Sequence, residues 1–417
     1  MIRQEAPNPA PTPFRFGLSE LAGSLGDLGT LLPLAAALIT VNHMNATGLF
    51  LTVGLAYVAS GLYYRLPIPV QPLKAVAAIA IATRLPGSVV SAAGPMLAVV
   101  LLGLAASGLA PTVGRLFARP VVRGIQLGLG LMLVQTGLLL AARPQLILSG
   151  GESVVRLGEM PVPLGLPVAG LVGLVLLRRG KSQRLPTMLV ALALGLVVSL
   201  AAGALEGLAS LRLGLVLPAI GAPSPADLGL AAMLLVVPQI PLTLGNAVVA
   251  TQRTAEDYFG PAARKVTYRA LLTSMGVVNL AAGLLGGLPV CHGSGGLTAH
   301  YRFGARTGGS NLLIGGGLIA LAILVDGNVV PLLALIPYPV LGALLVFTGV
   351  QHGLLARDVR GWQEVASAGA VATVGFATGN LALGFGVGLL LQAASWITAR
   401  WPIHRFNLRG SGGSTQP

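Results

Sequence analysis

The sequence predicts an all-α polytopic membrane protein. Three observations carry that expectation: the balance of residue types, a long succession of apolar runs, and two proline-bounded segments that interrupt those runs. Hydrophobic residues make up 54% of the 417 and charged residues only 9%, with a mean hydropathy of +0.83. A soluble domain carries about one quarter charged residues. The 58 glycines and 29 prolines would be costly in soluble helices. In a bilayer, small residues let helices pack closely, and broken helices survive where protein or a cavity re-satisfies the backbone. The combination argues for transport rather than simple anchoring. The single cysteine, Cys291, excludes an intrachain disulfide.

Taken in order, the first 17 residues are Pro-rich and polar and read as a cytoplasmic tail without a cleavable signal peptide. Residues 18–41 form the first helix, because Glu20, Ser24, Asp27 and Leu31 share one face at steps of four, three and four beside a stripe of leucines. Its polar face should turn inward. Runs at 46–64, 88–110 and 121–142 have the length of straight spans, about 20 residues. The run at 67–83 is shorter and opens with an extended Pro-rich stretch. Runs at 161–177 and 186–205 close the first half. The second half continues with 226–250, 267–285, a short 288–300, then 310–326, 328–354, 359–378 and 381–400. In the helix at 226–250, Gln239, Thr243 and Asn246 repeat the polar spacing of the first helix. The result is about fourteen crossings, with the third and tenth each a short extended stretch plus a half-helix.

Loop charges test this count. With both termini cytoplasmic, Arg115, Arg119, Arg123, Arg178, Arg179, Lys181 and Arg184 fall inside, as do Arg253, Arg264, Lys265, Arg269, Arg302 and Arg306. Arg357, Arg360, Arg400, Arg405 and Arg409 join them, whereas the outer loops receive Arg84, Arg143, Arg156 and Arg212. That asymmetry follows the positive-inside rule and accounts for most of the formal charge of +14. Basic residues spread over loops between spans do not make a nucleic-acid surface. Short loops suit a bacterial inner membrane.

The interruptions are Leu66-Pro-Ile-Pro-Val-Gln-Pro-Leu-Lys-Ala75 and Leu288-Pro-Val-Cys-His-Gly-Ser-Gly-Gly-Leu-Thr-Ala299. They lie about half a chain apart, the arrangement that marks a substrate site between broken helices. Lys74 begins the half-helix after Gln71 and Pro72. A membrane-buried lysine costs about 2.5–3.5 kcal/mol and needs a partner or a wet cavity. Two readings stand: a structural pair with Asp27, or a cation that attracts an anion while Asp27 orients it or carries a proton. The opposite segment offers backbone N–H groups at His292, Gly293, Ser294, Gly295 and Gly296, suited to a tetrahedral oxyanion. Ser294 and His292 add side-chain donors, with packing or a hinge as the alternative for His292. Thr30 is a further substrate-binding candidate, and Gln71, Gln239, Thr243 and Asn246 are either lining residues or interhelical hydrogen-bond partners. Asp27, Glu20 and His292 are the coupling or gating candidates. Tyr57, Tyr63 and Tyr64 include interface anchors and carry no chemistry. No metal-ligand cluster or nucleophile–base pair stands at useful spacing, so neither an enzyme nor a cofactor is expected.

Four motifs in this order resemble the molybdate transporter family, a branch related to the sulfate permeases. They are Gly26-Asp-Leu-Gly-Thr30 before Pro33, the Pro67–Ala75 segment, Pro238-Gln-Ile-Pro-Leu-Thr-Leu-Gly-Asn246, and Cys291–Gly296 followed by Tyr301-Arg-Phe-Gly-Ala-Arg306. The resemblance implies a 7+7 inverted repeat like that of the uracil transporters within 18–400. A core would comprise helices 1–4 and 8–11 (about 18–110 and 226–326), and a gate helices 5–7 and 12–14 (about 121–205 and 328–400). Residues 401–417 form a short tail with no STAS domain, in agreement with the molybdate branch. The proton-coupled relatives place an acid on the eighth helix where this chain has Gln239 and Asn246, an exchange that suits a dianion. The resemblance implies transport of molybdate, tungstate or sulfate by alternating access, with homodimers common among the relatives. A nucleobase symporter on the same fold and an anion channel are the rival readings.

Overall fold

The computed structural model describes residues 13–148, 150–157, 160–179, 187–209, 211–212, 214, 216–218, 220–324 and 329–400. Most of the N-terminal tail, the loop lysine Lys181 with Arg184, and the tail at 401–417 lie outside them. The order of elements is α1 (Leu18–Ser24), a 3-10 turn Leu25–Asp27, α2 (Leu28–Asn42), α3 (Ala46–Tyr64), β1 (Gln71–Pro72), α4 (Lys74–Thr83), α5 (Gly87–Ser107), α6 (Ala110–Leu116) and α7 (Arg119–Ala141). Then come β2 (Val154–Leu157), β3 (Met160–Pro163), α8 (Gly165–Arg179), α9 (Thr187–Ala201) and α10 (Ala204–Leu208). The second half holds α11 (Pro225–Ala231), α12 (Val237–Leu242), α13 (Thr251–Phe259), α14 (Tyr268–Leu284), β4 (Val290–Cys291) and α15 (Ser294–Arg302). It closes with α16 (Gly309–Leu324), α17 (Val330–Leu333), α18 (Tyr338–Leu354), α19 (Trp362–Ala377) and α20 (Leu381–Arg400).

Among the described residues, five helices are long and apolar enough to cross a membrane: Ala46–Tyr64, Gly87–Ser107, Arg119–Ala141, Pro225–Lys265 and Tyr338–Asp358. A sixth span is the bent pair of α1 and α2. The first helix is therefore not straight. It kinks by 46° between Asp27 and Thr30, where a 3-10 turn replaces α-helical bonding. The expected polar face is nonetheless buried, with Glu20, Ser24, Asp27 and Leu31 each at most 2% exposed.

Other departures from the sequence expectation are local. The run at 328–354 divides into α17 and α18, because Pro337 is extended and stands before the first residue of α18. A β2–β3 hairpin precedes α8 where no strands were expected. The run expected to end at 250 continues as one helical stretch to Lys265, with π-helical turns at Ala232–Val236 and Thr243–Ala250. Pro238 and Pro241 supply no N–H, so the ladder around them must re-register, and wider turns are one way to do so.

Helix packing runs through glycine. Gly54 and Gly61 of α3 face Gly315 of α16 and Gly308 just before it, while Gly130 and Gly137 of α7 face Gly349 and Gly342 of α18. A Cβ on any of the first-named four would stand 2.5 to 2.8 Å from the carbonyl oxygen of the glycine it faces. Close backbone approach is the membrane substitute for a hydrophobic driving force between helices.

Candidate functional site

The two broken segments meet as a short antiparallel ladder, Gln71 opposite Cys291 and Pro72 opposite Val290. Extended backbone inside a membrane needs partners from elsewhere in the protein. Ser60 Oγ and Asn311 Nδ2 both donate to the Ile68 carbonyl, at 2.8 and 2.6 Å. Asn279 brackets Val290, its Nδ2 donating to the carbonyl at 2.9 Å and its Oδ1 accepting from the amide at 2.7 Å. Thus held, the strands deliver the chain into α4 and α15.

The two helix starts are unlike. At α4, the amides of Ala75 and Val76 donate to Gln239 Oε1 at 3.1 and 3.4 Å, and Gln239 Nε2 donates to Thr243 Oγ1 at 3.0 Å. That first turn is already satisfied. At α15, no side chain caps the helix. Ser294 Oγ donates to Asn246 Oδ1 at 2.9 Å, and beside Gly295 there is open space where a Cβ would stand. The start of α15, with its uncapped first-turn amides and the positive end of its dipole, therefore borders a void.

That void is a cavity of about 490 Å³. Asp27, Thr30, Gln71, Lys74, Gln239 and Asn246 line it, together with Ser294, Gly295 and Gly296. Asp27 is buried and accepts from Gln71 Nε2 on one oxygen and from Tyr57 OH on the other, at 3.0 Å for the tyrosine. Among the described residues the ion pairs are Arg119–Glu364 and Arg123–Asp358. Asp27 and Lys74 border the same space without pairing.

Four expected residues stand elsewhere. His292 is not on the cavity wall: its Nδ1 lies 2.8 Å from the Pro69 carbonyl and its Nε2 2.8 Å from Ser274 Oγ. Gly293 packs against the Gln71 side chain. Thr243 stands behind Gln239 as its hydrogen-bond acceptor. Glu20 accepts from the Arg306 and Thr307 amides and the Thr307 hydroxyl at 3.0 to 3.1 Å, stapling α1 to the turn before α16. Tyr57 also departs from expectation, since it is fully buried and holds Asp27 rather than anchoring at an interface; Tyr64 is buried as well, and only Tyr63 is exposed.

The opposite wall was not anticipated. Gln126 of α7 and Thr348, Gln351 and His352 of α18 close the cavity from the far side. Arg123 orients Gln126 through a 2.8 Å bond while forking onto Asp358 at 2.9 and 2.6 Å. The signal was present: Thr348, Gln351 and His352 are spaced three and four apart in an apolar helix, the same stripe rule that found Asp27. The cavity thus brings one lysine, an uncapped helix start, hydroxyls and amides to the same space as the Asp27 carboxylate. Among the described residues, no group of histidine, cysteine or carboxylate side chains could hold a metal ion.

A family model described as "Molybdate transporter of MFS superfamily" matches residues 19–133 and 231–351. The chain belongs to the molybdate transporter family. Relatives of this family member include Molybdate transporter 2 of Arabidopsis thaliana, 30% identical over 407 residues that cover 89% of this chain and 86% of the relative. Molybdate transporter 1 of Chlamydomonas reinhardtii is 31% identical, covering 92% and 94%. Among solved structures, the transmembrane domain of the cyanobacterial bicarbonate transporter BicA superposes with a TM-score of 0.60 at 18% identity, covering 91% of this chain and 98% of that one. Murine Slc26a9, an anion transporter captured inward-facing, gives a TM-score of 0.66 at 14% identity, covering 93% and 69%. The molybdate transporter family member thus has the fold seen in those two proteins.

Proposed function

We propose that the protein is a secondary active transporter of molybdate, with the oxyanion bound between Lys74 and the first turn of α15. The observation that carries this reading is the meeting of a cation without an ion-pair partner and an uncapped helix start in one cavity. Preformed amides and a fixed positive charge suit a tetrahedral dianion, and the relatives named above are molybdate transporters. Gln239 serves the site indirectly: by satisfying Ala75 and Val76 it holds α4 so that Lys74 stands at the cavity wall. Gln126 and His352 complete the enclosure, and His352 Nδ1 is buried with no hydrogen-bond partner among the described residues.

The architecture proposed is the fourteen-crossing 7+7 repeat, with a core moving against a gate so that the cavity opens to each side in turn. Helices α7 and α18, which bear Gln126 and His352, belong to the gate; Lys74 and Ser294 belong to the core. A bacterial inner membrane, cytoplasmic termini and a homodimer complete the proposal. Calorimetric titration of purified protein with molybdate, competed by sulfate, tungstate and uracil at two pH values, tests the substrate. Saturable molybdate binding that sulfate displaces poorly is the expected result; uracil binding without any oxyanion response would overturn it.

Asp27 is the proposed coupling group. Asp27→Asn keeps the shape of the side chain; its oxygen still accepts from Gln71 and its amide donates to the Tyr57 hydroxyl in place of accepting from it, so thermal stability should change little. Uptake driven by an imposed pH gradient should fall by about a hundredfold or more, the lower end of what a positioned proton-transfer group contributes. An unfolded or uninserted variant would instead assign Asp27 to structure.

A further inference from the structure

A second cavity, of about 440 Å³, backs onto the β4 strand between α3 and α14. Its interior is largely alkyl, with Ala56, Ala59, Val70 and Val278 on the walls. The polar atoms at its inner end already serve one another. The Pro69 carbonyl can only accept, so His292 Nδ1 carries the proton, and Nε2 lies 2.8 Å from Ser274 Oγ, which also meets the Leu271 carbonyl at 3.1 Å and Tyr64 OH at 2.9 Å. The interior is therefore fitted to alkyl matter rather than to a polar solute.

The rim has the opposite character. Arg269, exposed in the first turn of α14, borders the opening beside Tyr63. Lys265 reaches the Tyr63 carbonyl at 3.0 Å and lies 5.4 Å from the Tyr63 ring centre. Val277, which is 56% exposed, also lines the cavity, so the slot opens sideways along helices whose outer faces carry exposed Leu55, Leu62 and Leu280. An alkyl slot between α3 and α14, with cations and a tyrosine at one end, has the charge pattern of a lipid site on the basic side of a bilayer.

We infer that this cavity takes one acyl chain of an anionic phospholipid, with the phosphate at Arg269 and Lys265. The lipid has a route to the candidate anion site. Cys291 borders both cavities, so the wall between them is the single β4 strand whose partner residue, Gln71, holds Asp27. An acyl chain packed behind that strand limits its movement.

Because Cys291 is the chain's single cysteine, its reactivity reports on the wall. Full-length protein is reconstituted in phosphatidylcholine vesicles with and without phosphatidylglycerol as a minority lipid, and labelled with the membrane-permeant N-phenylmaleimide. Phosphatidylglycerol is expected to slow labelling several-fold and to remain bound in native mass spectra. Replacing both cations, Arg269→Ala with Lys265→Ala, should remove both effects while leaving labelling in phosphatidylcholine unchanged; Arg269→Lys, which keeps the charge, should retain them. Equal labelling in the two lipids, or a lipid effect that survives in the double variant, would overturn the inference. Should the double variant fail to fold, the wild-type comparison and its retained lipid decide alone. Neither readout depends on which ion is transported.

Discussion

Lys74→Ala is expected to weaken molybdate binding by about a hundred-fold or more while folding and inserting normally. The loss follows from removing the cation opposite a dianion in a confined cavity, where truncating one partner of a desolvated charge pair costs about 2–5 kcal/mol. Normal folding follows from a different fact: Lys74 makes no contact ion pair among the described residues, and the buried Asp27 across the cavity keeps its hydrogen bonds from Gln71 and Tyr57 when the lysine is removed. Insertion scales even favour the alanine, since a lysine at membrane depth costs about 2.5–3.5 kcal/mol. Calorimetry and a melting curve on the same preparation separate the two effects. Unchanged affinity would remove Lys74 from the site.

Asn279→Ala should do the reverse, damaging stability first. The asparagine satisfies both backbone groups of Val290, a residue that is 2% exposed. Each orphaned group costs about 1–3 kcal/mol, so about 2–6 kcal/mol is at stake. A large drop in thermal stability in detergent is expected, with partial recovery of the melting temperature on adding saturating molybdate, because a ligand that binds only the folded state stabilises it. A melting temperature equal to wild type would mean that β4 finds other partners and that the ladder is not what positions α15.

The broken segments were legible because proline and glycine punctuate them and because a lysine so deep in apolar sequence demands explanation. The inward face of the first helix was legible from spacing alone. His292 was not, for a geometric reason. Successive residues of an extended segment point to opposite sides, and nothing in the run Cys291-His292-Gly293 says which side is the anion's. The stripe of Thr348, Gln351 and His352 and the lone Gln126 escaped because they sit in ordinary unbroken helices, where a polar side chain reads equally well as a packing contact or an interhelical hydrogen bond. The kink at Asp27 escaped too, although Gly26 and Gly29 flank it, because glycines at that spacing read equally well as points of close helix packing. The unequal helix starts could not be read at all: the capping of α4 depends on Gln239, 164 residues away from Ala75.

The glycine seams have a mechanical meaning. A single point of close approach would let two helices pivot, but α7 and α18 touch at two points seven residues apart on each, as do α3 and the chain around α16. Two points fix both crossing angle and axial register, and a slip of one turn would drive side chains into carbonyl oxygens. Such pairs behave as stiff plates rather than as sliding rods. Compliance is then left to the links outside the seams, such as the left-handed glycines Gly108, between α5 and α6, and Gly203, between α9 and α10. Stiffening those two links should slow turnover without altering what the cavity holds.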